Sequence, residues 1–258
     1  MKYFLQHTPP NPTLEYAESI DLPKGTTEIL SVGGGSTIDV GKWLAFKYKL
    51  KHTAIPTTAG TGSEVTRYCV LMVNGKKRTF DLKKPDSYIL DPRLVTTLPE
   101  LHTLSSGLDA LCQALESLWS KEATRESTNY ATMAYELIVE NLKKSMEEPL
   151  NEEYRMNMLI GANMAGRAIE ITQTNICHAI SYPLTELYNI PHGIACAMSL
   201  RYFAKQNGID LDYWFLQFRL PKYDIDTEKI ADIAIKNKKL HSYPHKISKI
   251  DIMESLIQ

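Results

Sequence analysis

Asp109 and Gln113 stand four residues apart in a stretch of helical periodicity, so one helix face would present a carboxylate and an amide oxygen together. Two imidazoles follow, His178 and His192, fourteen positions apart, with Pro191 and Gly193 bracketing the second. A helix and a following turn would bring both rings to one place. One carboxylate with two imidazoles is a donor set that holds iron(II) with positions open for substrate, and zinc fits it as well. Taken singly, each residue has an ordinary structural explanation: a histidine in an apolar helix is commonly a hydrogen-bonded core residue, and Asp109 after Gly107 suits a first-turn helix charge. The set of four is better explained by an ion.

Upstream lie two glycine-rich turns. Glu28 to Val32 is a short apolar run ending in Gly33, Gly34, Gly35 and Ser36, and Asp39 to Lys49 has the composition of a helix. Such a strand–turn–helix unit exposes backbone N–H groups near a helix's positive end, where a pyrophosphate can sit. The spacing is not the GxGxxG fingerprint, and glycines serve any tight turn. The second turn, after the strand His52 to Pro56, sets the hydroxyls of Thr57, Thr58, Thr61 and Ser63 around two glycines, as a polar cofactor rim would need. Together the turns favour a nucleotide cofactor.

These groups must be positioned by two kinds of structure. The first hundred residues alternate β-rich runs with turns and one helix, and Asn74-Gly75 predicts a hairpin between Cys69–Val73 and Lys77–Leu82. Ser87 to Asp91 completes the β-rich part. Beyond Pro99, apolar residues recur at three- and four-residue steps through Leu108–Leu118, Tyr130–Ile138, Met156–Ile171, His178–Leu187 and Gly193–Tyr202. Ser248-Lys-Ile-Asp251 has the form of a capping box opening a last helix. The fold class expected is α/β plus all-α: a parallel-sheet nucleotide-binding domain over 1–98, incomplete at its front, followed by a helical-bundle metal-binding domain over 99–258.

A chain of 258 residues, 43% hydrophobic, can bury a large core, and its 29 basic and 30 acidic residues give a net charge of −1. No global field recruits nucleic acid or an acidic membrane, so small molecules are the expected partners. Cys69, Cys112, Cys177 and Cys196 show no CxxC spacing and read as buried thiols packing the core in a reducing compartment. No apolar stretch reaches membrane-spanning length and the start lacks a secretion signal, so a cytoplasmic protein is expected.

Several segments resemble the iron-containing (group III) alcohol dehydrogenases, in that family's order: Gly33-Gly-Gly-Ser-Thr-Ile-Asp39, Pro56-Thr-Thr-Ala-Gly-Thr-Gly-Ser-Glu64, Gly107-Leu-Asp-Ala-Leu111 and Ile190-Pro-His-Gly193. Gln113, Leu118-Trp-Ser120 and His178-Ala-Ile-Ser-Tyr-Pro-Leu184 are most similar to its branch of phosphonoacetaldehyde reductases and 2-hydroxyethylphosphonate dehydrogenases. The resemblance implies an active site in a cleft between the two domains, with NAD(P)H and iron or zinc. Carried over, it puts metal ligands at Asp109, Gln113, His178 and His192, and cofactor contacts at Gly33, Gly34, Gly35, Ser36, Asp39, Thr57, Thr58, Thr61, Ser63 and Lys77. Gln113 departs from the commoner histidine, and an amide oxygen is a poorer partner for iron or zinc than imidazole. Tyr182 replaces a second histidine near the nicotinamide; its phenol could hydrogen-bond the substrate oxygen, although phenols are weak bases near neutral pH.

The family also has strands and a helix before the segment equivalent to Pro10-Asn-Pro12, and the region between Ile209 and Asp226 reads as shortened. A compact active variant, a chain completed by a partner or homo-oligomer, and a remnant that keeps its site residues by descent all fit that shortening. The reaction expected is reversible carbonyl reduction by hydride from NAD(P)H, with the metal as Lewis acid. Phosphonoacetaldehyde is one substrate this reading supports, and Arg67, Lys77, Arg155 and Arg167 are the cations considered for its phosphonate. The rivals are a dehydrogenase of a small uncharged alcohol such as a diol, and a catalytically silent binding or assembly subunit.

Overall fold

The computed structural model describes residues 4–257. Strand β1 (Glu28–Gly33) runs out of the N-terminal segment and ends at the first glycine turn, and helix α2 (Gly35–Tyr48) starts two residues later with Gly34 as its cap residue. The helix thus opens four residues before the Asp39 expected from composition. Gly35 and Ser36 lie inside its first turn, where backbone N–H groups have no intrahelical acceptor. Strand β2 (Lys51–Pro56) then lies parallel to β1 in register Glu28↔Lys51 through Gly33↔Pro56, and ends at the second turn. Both turns therefore emerge side by side at the carboxyl ends of neighbouring parallel strands, the place where open α/β sheets bind ligands.

The sheet order is β1-β2-β5, with β5 reduced to Ser87–Tyr88. Strands β3 (Tyr68–Val73) and β4 (Lys76–Asp81) form the expected antiparallel hairpin, closed by Asn74 and Gly75, both at positive φ as a two-residue hairpin turn demands. A short helix α1 (Leu14–Ser19), capped by Thr13, was not foreshadowed by the pattern; Ala17 and Ile20 bury it with Ile29, Val40, Leu44, Cys69 and Leu71 in a small apolar core.

After Pro99 the chain is helical: α3 (Glu100–Leu118), α4 (Arg125–Glu147), α5 (Glu152–Thr172), α6 (Ile176–Tyr188) and α7 (His192–Gln206), then the shorter α8 (Asp212–Phe215), α9 (Thr227–Ala234) and α10 (Lys249–Ser255). The capping box expected at Ser248 is formed, with Asp251 as its reciprocal partner. A second, larger core holds these helices together, centred on α3, whose Leu108, Leu111 and Leu115 are fully buried. The sheet side docks on α5 through two glycines. A Cβ on Gly62, at φ +58, would stand 2.5 Å from the Gly166 Cα, so neither position accepts a side chain without a shift. Among the described residues no helix is long and apolar enough to cross a membrane.

Candidate active site

Helix α3 carries Asp109, Gln113 and Glu116 at i, i+4 and i+7, hence on one face, and all three are buried. A bare carboxylate in such a place would be costly. Glu116 is satisfied by the start of α6: its carboxylate accepts from the backbone N–H of Asn175 (3.0 Å), Cys177 (2.6 Å) and His178 (3.1 Å), at the helix end that favours negative charge. It also faces His178 Nδ1 at 2.6 Å. That contact fixes the ring, with Nδ1 protonated toward Glu116 and Nε2 turned to Asp109 Oδ1 at 3.1 Å. In a neutral ring, Nε2 would set a lone pair against a carboxylate oxygen. Only a proton or a cation between them satisfies both.

His192 is the first residue of α7 rather than part of a turn. It reaches the cluster because Gly193 lies flat on α3: a Cβ there would stand 1.7 Å from the Ser105 carbonyl oxygen. The two imidazole rings are 5.5 Å apart, and His192 Nε2 is 3.9 Å from Asp109 Oδ1. One turn further along α7, the buried Cys196 brings its sulfur to 3.9 Å from His192 Nε2. One donor atom from each of Asp109, His178, His192 and Cys196 falls within 4.8 Å of every other. Gln113 borders the same space, and its Oε1 is buried without a hydrogen-bond partner. An orphaned oxygen, a carboxylate, two imidazoles and a sulfur around one point fit a divalent metal ion.

The electrostatics agree. Burial opposes a charge on His178, but Cys196, Glu116 and Asp109 outweigh it and raise its pKa well above the ordinary value. Burial would likewise raise the Cys196 thiol, yet its hydrogen bond with Cys112 and the two imidazoles hold it well below the usual thiol range. The two shifts share a cause: a cationic His178 and an anionic Cys196 sulfur stabilise one another across the pocket. Cys69, Cys112 and Cys177 are buried packing thiols, as expected for all four; Cys196 corrects that expectation, because its sulfur also faces the cluster.

A cleft of about 770 Å³ extends from this cluster to the first glycine turn. Gly35, Ser36, Asp39, Thr61, Ser63, Lys77, Asp109, Gln113, His178, Tyr182 and His192 line it. Gly33, Gly34, Thr57 and Thr58 do not; they join the two turns, where the Thr57 N–H donates to the Gly33 carbonyl (3.0 Å) and a Cβ on Gly34 would meet the Thr58 side chain at 3.3 Å. Asp39 and Ser63 have a bracing part as well. The buried Lys42 ammonium donates to Asp39 Oδ1 (3.2 Å), Ser63 Oγ (2.7 Å) and the Tyr68 carbonyl (2.6 Å), and Ser63 Oγ donates to Asp39 (2.6 Å). This network ties the second turn to α2 and the hairpin. Tyr182 stacks on His192, ring centroids 6.2 Å apart and planes 13° from parallel.

Of the cations considered for a substrate anion, three are engaged elsewhere. Arg67 pairs with Glu170 and Asp81, Arg155 donates to Thr103 and the Pro149 carbonyl, and Arg167 donates to Tyr88 and Asn163. Only Lys77 of that group lines the cleft. The far side is closed by the 3-10 turn Lys238–Ser242, which adds Lys238, Lys239 and His241. Sequence reasoning missed Glu116, Cys196 and Lys239. The first two carried a signal, since Glu116 is seven residues from Asp109 and Cys196 four from His192, each on the face of a nominated ligand. Lys239 carried none, because only the tertiary fold brings residues 238–242 over α6.

The sequence profile described as "Iron-containing alcohol dehydrogenase" matches residues 4–92, and that of the "Fe-containing alcohol dehydrogenase family, C-terminal" matches residues 103–213. The chain belongs to the iron-containing alcohol dehydrogenase family. A curated relative, the phosphonoacetaldehyde reductase of Streptomyces viridochromogenes, is 37% identical over 162 residues, covering 61% of this chain and 41% of its own. The 1,3-propanediol dehydrogenase of Klebsiella pneumoniae is 33% identical over 228 residues, covering 80% and 55%. The chain thus spans about half the length of the curated relatives it matches. Among solved structures, sulfoacetaldehyde reductase from Bifidobacterium kashiwanohense in complex with NAD+ superposes with a TM-score of 0.87 at 28% identity, covering 96% of this chain and 81% of the other. An iron-containing alcohol dehydrogenase from Thermotoga maritima gives 0.85 at 28% identity, with 97% and 81% covered. This family fold is the expected one, a parallel sheet followed by a helical part.

Proposed function

We propose that this iron-containing alcohol dehydrogenase family member interconverts a small aldehyde and its alcohol using NAD(P)H and a divalent metal ion. The observation that carries the reading is the convergence of Asp109, His178, His192 and Cys196 donor atoms within 4.8 Å, beside the orphaned Gln113 oxygen, at one end of a cleft whose other end is the first glycine turn. The relatives named as reductases and dehydrogenases support it, as does the neighbour solved with NAD+. Residues 1–98 supply the nucleotide side and 99–258 the metal side.

When bound, the nicotinamide supplies hydride and the ion polarises the carbonyl oxygen. Asp109, His178 and His192 would be the strong ligands, and Gln113 would add an amide oxygen. Glu116 holds His178 in the tautomer whose Nε2 is free to ligate. The start of α2 at Gly35 and Ser36 would receive the pyrophosphate, and Lys77, which lines the same cleft, would add a point charge. Lys42, saturated by Asp39, Ser63 and Tyr68, keeps the second turn rigid. Tyr182, held flat against His192, donates a hydrogen bond to the substrate oxygen and shields the reacting carbon from water. A second reading, oxidation of an uncharged diol, rests on the relative with the wider coverage of this chain.

The test is NADH and NADPH oxidation by metal-loaded protein across charged and uncharged short aldehydes. Saturable turnover that is lost in Asp109→Ala together with bound metal supports the proposal. Retained metal and cofactor binding with no turnover of any aldehyde would overturn it.

A further inference from the structure

Lys239 is a half-buried cation of the cleft wall, on the side that carries Tyr182. Its ammonium donates to the hydroxyl of the buried Thr174 and lies 5.9 Å from the centroid of the Tyr182 ring, whose own face stacks on His192. Tyr182 thus touches both Lys239 and a nominated metal ligand. Thr174 is neutral, and among the described residues no carboxylate lies within ion-pair distance of Lys239. One hydroxyl accounts for one of three N–H donors, so two remain for a ligand. The backbone beneath is tightly set: Gln173, at the junction of α5 and α6, has φ +60 and ψ 174, a costly conformation for a side chain other than glycine, and it lines the cleft with Thr174.

The acidic lining does not compensate this charge. Asp39 is paired with Lys42, Asp109 belongs to the metal cluster, and Glu122 is an exposed side chain. Lys77 sits on the β4 side of the hairpin and serves the cofactor end, whereas Lys239 serves the end where the aldehyde must lie. Arg67, Arg155 and Arg167 are already engaged. A short aldehyde with its carbonyl at the metal thus places its tail against Tyr182 and the free N–H groups of Lys239.

We infer that Lys239, braced by Thr174 and Tyr182, binds an anionic head group on the substrate, so that the preferred aldehydes carry a phosphonate, sulfonate or carboxylate one or two carbons from the carbonyl. The inference rests on the carbonyl-reduction reading and narrows it to a substrate class. Exposed Lys238 and His241, on the same turn, add positive potential at the entrance.

The experiment compares wild type with Lys239→Met and Lys239→Arg, using phosphonoacetaldehyde, sulfoacetaldehyde, a carboxylated aldehyde and uncharged propanal. The expected result is that the ratio of kcat/KM for the anionic aldehydes to that for propanal falls about 10–100-fold in Lys239→Met, the loss typical of one charge-assisted hydrogen bond, and is largely restored in Lys239→Arg. Which anion loses most identifies the head group. An unchanged ratio, or a loss of NAD(P)H affinity as large as the loss of substrate specificity, would overturn the assignment while leaving carbonyl reduction intact. A calorimetric arm is independent of turnover: metal-loaded protein with NAD+ is titrated with 2-hydroxyethylphosphonate, isethionate and 1-propanol. Anion binding that Lys239→Met abolishes supports the subsite even if no aldehyde is reduced, and equal binding by both proteins, or none by wild type, sinks it.

Discussion

Glu116 shows how much of the chemistry depends on a residue that need not touch substrate. Its two oxygens take three backbone N–H groups and one imidazole N–H, so a single carboxylate caps α6 and sets the tautomer of His178. In Glu116→Gln the amide oxygen can still accept N–H groups, but the NH2 that replaces the second oxygen accepts none, and the side chain offers no charge to the helix end or the ring. Metal affinity is expected to fall about 10–100-fold, as for other partners of ligating histidines. Calorimetric zinc titration with circular dichroism as a fold control measures this; unchanged affinity would show that His178 orients itself. The departure at Gln113 matters less in this setting than its poor donor strength suggests, because Cys196 places a sulfur donor within 4.8 Å of the Asp109, His178 and His192 donor atoms.

At the scale of elements, the sheet side is held by polar contacts that titrate. His52 of β2 is buried, its Nε2 is 2.9 Å from Ser31 Oγ of β1, and the Lys42 ammonium of α2 lies close. Burial first, then Lys42, lower its pKa from 6.5 to about 4, against a smaller opposing pull from Asp86. The sign follows directly. Below pH 6.5 the unfolded chain binds a proton that the folded chain refuses until about pH 4, so stability is complete above 6.5 and declines across that window. The loss is on the order of 3 kcal/mol at most. Urea unfolding at neutral pH and near pH 5 checks it: His52→Gln should flatten the difference, and an equal decline in both proteins would place the sensitivity elsewhere. The elements themselves were largely legible. Alternation and Asn74-Gly75 gave the hairpin, and three- and four-residue steps gave α3 to α7, because each of those signals is local. Helix α1 was not, because its six residues are stabilised by Thr13 and by packing on β3 and α2 rather than by their own periodicity.

For the molecule as a whole, what the sequence shows and what the fold adds divide along sequence distance. The four nominated ligands stand out as residue types, and the helix spacing of Asp109 and Gln113 could be read directly. Their meeting with His178 and His192 could not, since it depends on Gly193 lying against Ser105 and on Glu116 reaching α6. The glycine turns were legible as turns, whereas their division into a lining part, Gly35, Ser36 and Thr61, and a packing part, Gly33, Gly34, Thr57 and Thr58, follows from the pressing of one turn on the other. The cleft is lined from both the sheet side and the helices, and the Gly62–Gly166 contact sets how closely the second turn approaches α5.

The account stands on one ion position, and anomalous diffraction from crystals soaked in zinc or grown with iron tests it most directly. The account predicts a difference-map peak bounded by Asp109, His178 and His192, with the Gln113 oxygen or the Cys196 sulfur turned toward it. Crystals that take up metal at any other place, with His178 still bonded directly to Asp109, would contradict it.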